Sequence, residues 1–130
     1  MSVEVALRSR LKADAAVAAI VATRIDWSVR PQRSAMPAIV LQVVSDVRPQ
    51  TFKENTGTRE TRVQIDCYAL TRAQAISLRD AVINAISSGG TFFSVSFSRT
   101  FINNVIDRGE NTDTGFVHRE LIDASIWHSA

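Results

Sequence analysis

The sequence predicts an α+β domain, an antiparallel four-stranded or slightly larger sheet with helices packed on it, in the order α-(α)-β-β-α-β-β. Three observations carry this. Alanine-rich segments with apolar residues at helical spacing stand at Val3 to Ala22 and at Thr71 to Ser87. Stretches rich in β-branched or aromatic residues, several of them alternating with polar ones, run from Ala38 to Val47, from near Arg59 to Tyr68, from Phe93 to Ile106 and from Phe116 to Trp127. Polar, turn-forming stretches, QTFKENTGT at Gln50 to Thr58 and GENTDTG at Gly109 to Gly115, separate these runs in pairs, as in antiparallel hairpins. With 130 residues the chain is expected to form one domain, residues 1–130, large enough to bury a core without disulfides or a metal.

Taken in order, the first helical region carries Val5, Leu7 and Leu11, breaks near Lys12, and resumes after Asp14, whose carboxylate suits a helix N-cap. Arg24 to Trp27 reads as a short extended piece, and Ser28 to Pro37, with Pro31 and Pro37, as a loop. The first long strand is AIVLQVVSDV, Ala38 to Val47. In the next, Val63, Ile65 and Cys67 alternate with Arg62, Gln64, Asp66 and Tyr68, which puts the single cysteine on the buried face and Asp66 and Tyr68 on the other. Thr71 and Gln74 have the spacing of a capping box. The helix that follows buries Ala75, Leu78, Val82 and Ile86 and stops at Ser88-Gly89-Gly90. Phe93, Val95 and Phe97 alternate with serines in a strand that continues to Ile106 with an irregularity at Asn103-Asn104, and Ile122, Ala124 and Ile126 share one face of the last strand.

Composition narrows the function. A 45% hydrophobic, 22% charged chain of net charge +2 is globular, and its basic residues are scattered rather than gathered into a nucleic-acid footprint. Arginine outnumbers lysine, which favours forked ion pairs at packed surfaces. The apolar run Ala15 to Ala22 is too short for a membrane span, and neither a span nor a signal peptide is expected. No catalytic, cofactor-binding or metal residues are assigned. Cys67 reads as core, His118 and His128 lie about 33 Å apart on a straight strand, and phosphate-binding glycine motifs and metal-ligand spacings are missing from the sequence. Asp107, Glu110 and Asp113 read as turn chemistry.

Several strings together resemble the phage tail-completion family, whose members are tail-terminator or head-to-tail joining proteins of siphophages, prophages and gene-transfer particles. They are VEVALRSRLKADAAVAAIVATRI, PAIVLQVVSD, RETRVQIDCYALTRAQAISLRDAVINAI and the final hairpin. The resemblance covers nearly the whole chain and is most characteristic from Val63 to Ala69 into the helix bearing Leu78, Asp80, Ala81 and Val82. It implies a structural, non-enzymatic subunit of a virion tail, assembled in the bacterial host cytoplasm. It further implies a homo-hexameric ring at the head-proximal end, monomeric in isolation or not, with the major tail tube protein and the head-connector protein as partners. Asp66 and Tyr68 would then meet a neighbouring layer or subunit, with plain solvent exposure as the alternative.

The loop Gln50 to Thr58 is expected to act as an assembly arm, Phe52 supplying an apolar anchor and Lys53, Glu54, Arg59 and Glu60 setting register, against the alternative of an idle solvated loop. A small nucleic-acid-binding α+β module is the competing function, opposed by the lack of interleaved aromatic and basic residues on exposed strand positions.

Overall fold

The structure, a computed structural model, describes residues 3–28, 36–47, 58–93, 95–112 and 115–129. Helix α1 spans Val3–Ala13 and α2 spans Ala15–Val21. Between them Asp14 is extended, and its Oδ1 accepts from the Ala16 and Val17 amides at 3.0 and 3.1 Å. The carboxylate thereby satisfies donors that no intrahelical carbonyl can reach, as the sequence predicts. Strands β1 (Ile25–Trp27), β2 (Ala38–Val47) and β3 (Thr58–Ala69) follow, then α3 (Arg72–Ser87), then β4 (Gly90–Phe92), β5 (Val95–Asp107), β6 (Glu110–Thr112) and β7 (Gly115–Ser129). Thr71 caps α3, its Oγ1 accepting from the Gln74 amide at 3.2 Å.

The sheet order is β1-β2-β3-β7-β5-β4, with β6 pairing β7 off that path. The four long strands are antiparallel neighbours, as expected. Among the described residues three further strands of three residues each enlarge the expected sheet: β1 falls within the short extended piece expected at Arg24 to Trp27 and runs parallel to β2, while β4 and β6 are additions. Three residues carry no readable period, so such strands exist only because a neighbouring edge supplies their hydrogen bonds. The expected strand start at Phe93 is also corrected. Phe92 pairs with Val95, and Phe93, at φ 51°, belongs to the turn of a hairpin and is 44% exposed. The expected turn Gly109 to Gly115 likewise contains β6. The irregularity expected at Asn103-Asn104 is present as a register shift between Ile102 and Asn104.

The helices cover one face of the sheet. Leu7, Leu11, Val17, Val21, Leu78, Val82 and Ile86 pack there with Ile39, Leu41, Val63, Ile65, Ile122 and Ile126, all at most 1% exposed. Cys67 lies among them, wholly buried, with Ile39 and Glu120 as its strand neighbours. Burial, with the Asp66 and Glu120 carboxylates nearby, pushes its thiol far above the ordinary range, so the thiolate needed for nucleophilic chemistry does not form at neutral pH.

Arg10 closes the end of this layer. Only 3% exposed, it donates from Nη2 to the Ser88 carbonyl at 2.5 Å, and its guanidinium carbon lies 4.2 Å from the Phe92 ring centre and 5.0 Å from that of Phe97. A cation at the C-terminal end of α3 satisfies a carbonyl the helix leaves unpaired and complements its dipole, while the two rings replace water around the charge. From the middle of α1 Arg8 Nε donates to the Ile25 carbonyl at 2.6 Å, and near its start the Glu4 carbonyl accepts from Trp27 Nε1 at 3.1 Å, which fixes the helix across β1.

Candidate assembly surfaces

The root of the β2–β3 hairpin is braced by a polar chain. Arg59 on β3 pairs with Asp46 on β2, and Thr61 Oγ1 lies 3.3 Å from Asp46 Oδ1 and 2.7 Å from Nε2 of His128 on β7. His128 is 2% exposed, against Phe97. Neither residue's neighbours on its own strand reveal the contact, because three strands have to be laid side by side to form it. Glu60 is half-buried in the row joining Val47 to Trp127. Phe52, Lys53 and Glu54, with the rest of the expected arm up to residue 57, lie outside the described residues, and Thr58 belongs to β3.

Burial lowers the His128 pKa from its ordinary 6.5, with the Arg59 charge acting in the same direction. The unfolded chain therefore binds a proton near pH 6.5 that the folded chain refuses until lower pH. The contribution is fully present above that value and is lost as pH falls through the folded pKa. Urea midpoints are expected to drop between pH 7 and pH 5, and a His128→Gln chain is expected to show a smaller drop. Equal slopes in the two proteins would dissociate the histidine from the effect.

Asp66 and Tyr68 lie on the sheet face away from the helices, as the alternation predicts. The subunit itself covers Asp66, which is 4% exposed; Arg119 Nη2 donates to its Oδ2 at 3.3 Å, and Gln64 Nε2 lies 3.4 Å from the same oxygen. That burial takes this carboxylate out of reach of solvent and of a neighbouring subunit alike, which corrects the expectation of an assembly contact at Asp66; alternation separates two faces without saying what lies over each. Tyr68 is half-buried with the Arg119 guanidinium 5.7 Å from its ring centre. On the same face Arg62 Nε donates to Asp123 Oδ1 at 2.9 Å, and this bond, chiefly, holds the Asp123 carboxyl below its usual range. On the helix face Arg79 Nη1 donates to Glu120 Oε1 at 3.1 Å. Arg59, Arg62, Arg79 and Arg119 thus all pair with carboxylates of the subunit itself.

Sequence reasoning misses the exposed apolar residues at the margins of the sheet. Val43 and Val44 on β2 are 41% and 53% exposed, and Phe101 and Val105 on β5 are 46% and 37% exposed. A signal is present for the first pair, since adjacent valines cannot both face one side of a strand. Leu70 and Phe116, 61% and 47% exposed, stand at the opposite end of the sheet from the hairpin root.

Among the described residues no group of three or more His, Cys, Asp or Glu side chains could hold a metal ion, and no helix is long and apolar enough to cross a membrane. A recess of about 260 Å³ between α1 and the end of α3 is lined by Arg10, Asp14, Asn84 and Phe92 among others, but Arg10 is committed to Ser88 and Asp14 to α2.

Comparison with known proteins fits that geometry. The sequence-family model described as "Tail completion protein gp17" matches residues 5–122. A chain in a solved structure titled "Virion of native gene transfer agent (GTA) particle" shares the fold, with a TM-score of 0.77 at 15% sequence identity, over 99% of this chain and 96% of that one. No curated protein sequence matches significantly.

Proposed function

The chain belongs to the tail completion protein gp17 family, and from that premise we propose that it forms a ring that closes the tail tube and joins the tail to the head connector. As a family member it is a structural protein of the virion tail and not an enzyme. The family match over residues 5–122 is the observation that carries the reading. A homo-hexameric ring, with the major tail tube protein on one side and the head-connector protein on the other, is the arrangement proposed. The likeness to a chain of a gene transfer agent virion supports a place in a particle of that general kind. Removing the chain from a particle-producing genome should leave heads and tails separate, and its restoration should rejoin them. Joined, infectious or transducing particles in its absence would refute the assignment.

The arm between β2 and β3 is proposed to dock against a neighbour. The supporting observation is its braced root, where Arg59, Asp46, Thr61 and His128 hold the flanking strands whatever the arm does. Loop-closure entropy changes slowly with length, so shortening residues 50–57 to Asn-Gly is expected to leave circular dichroism and melting nearly unchanged. Particles carrying that chain should accumulate unjoined heads and tails. Normal particle yields would remove the arm from assembly. Loss of the fold would place it in the sheet.

A further inference from the structure

Resting on the ring reading above, we propose that neighbouring copies of this chain join edge to edge, the open edge of β2 in one copy adding antiparallel to the open edge of β5 in the next. Among the described residues the two edges are incompletely paired. Strand β1 pairs with β2 only from Ile39 to Leu41, and β4 pairs with β5 only from Val95 to Phe97. Among the described residues no strand takes the outer side of β2 from Gln42 to Ser45, or that of β5 from Arg99 to Asp107. Neither stretch contains a lysine or proline, and the register shifts within them, between Val43 and Ser45 and between Ile102 and Asn104, fall one on each edge. Each instead presents exposed apolar side chains beside its backbone, Val43 and Val44 on one and Phe101 and Val105 on the other.

Sense and height decide the occupant in favour of a second copy. Three antiparallel steps separate β2 from β5, through β3 and β7, so the two edge strands run in opposite directions. Copies set side by side around an axis along the strands keep their strand sense, so β2 of one meets β5 of the next antiparallel. The heights also agree. The row through Leu41 passes Ile65 and Ile122 to Val105, and the row through Val47 passes Glu60 and Trp127 to Arg99. Pairing at equal height adds no rise from copy to copy, which lets a head-to-tail contact close into a ring instead of winding into a filament. Backbone hydrogen bonds supply the joint, and the apolar residues flank it.

Disulfide trapping in the full chain tests this. Gln42 and Asn104 are both exposed and share a row through Gln64 and Asp123, on the face away from the helices. Phe101 and Ile106, opposite Ser125 and Leu121, lie on that face too and allow for a shift of register. Chains with Gln42→Cys and a second cysteine at Asn104, Phe101 or Ile106 are built into particles and mildly oxidised; buried Cys67 stays silent. One of the three is expected to give a reducible ladder of covalent oligomers up to the ring's copy number, with each single-cysteine chain remaining monomeric. Intact rings in electron micrographs with no ladder from any pair would overturn the edge contact and leave the ring reading standing. Covalent dimers from Gln42→Cys alone would replace it with a two-fold β2–β2 contact. Particles without any ring of this chain would overturn both.

Discussion

A Val82→Asp chain is expected to be unfolded at neutral pH. Val82 is wholly buried on the stripe of α3 that also carries Leu78 and Ile86, and it packs in the cluster with Ile65 and Ile122 of the sheet. The substitution removes the burial of a valine, worth about 1.5–3 kcal/mol. It also leaves a carboxylate in an apolar layer with no partner, at a further cost of several kcal/mol. Together these approach the whole stability of a small domain, about 5–15 kcal/mol. Circular dichroism and urea titration measure the outcome. Asn84→Asp, at an exposed position on the same helix, should melt close to the parent. A Val82→Asp chain that melts cooperatively near the parent would mean that the buried stripe of α3 is drawn wrongly.

Arg79→Ala is expected to lower stability by about 3 kcal/mol, the lower end of what breaking a buried ion pair costs. Glu120 is 3% exposed on the helix-covered face, Arg79 reaches its Oε1 at 3.1 Å, and its Oε2 has no hydrogen-bond partner. Removing the guanidinium strands that carboxylate beside Cys67, its neighbour across the β3–β7 pair. Arg79 also touches Asp80, but that aspartate is 58% exposed and the contact is worth little. Asp80→Ala should therefore move the urea midpoint only slightly. Replacing both partners, Arg79→Met with Glu120→Leu, should recover most of the loss, since no charge is left buried. A single Arg79→Ala change as mild as Asp80→Ala would show that water already reaches Glu120.

Val82 and Glu120 differ in how far their burial is legible in the sequence. The place of Val82 in the core follows from spacing alone, because a helix repeats every 3.6 residues and its buried stripe is written in one short segment. The same locality explains why the Asp14 and Thr71 caps and the bounds Ala38 and Val47 of β2 are legible in the chain itself. A cap is a bond between residues two or three apart, and a strand's alternation is visible within six or seven residues. Glu120 cannot be assigned in that way, since its partner lies 41 residues earlier on another element. Of the candidate assembly residues, Arg59 and Asp66 are recognisable as polar strand positions, but their internal partners Asp46 and Arg119 are not.

The sequence by itself thus determined the helices, the four long strands, the buried faces and, through whole-chain resemblance, the family. Only the tertiary structure decided that β7, last in the chain, lies between β3 and β5. It also decided that Asp66 is enclosed and that, among the described residues, no strand covers the outer sides of β2 and β5 along most of their length. The reason is physical. Periodicity records which side of an element avoids water, whereas strand order, the covering of the second face and the vacancy of an edge depend on hydrogen bonds between residues far apart in the chain, which no local pattern encodes.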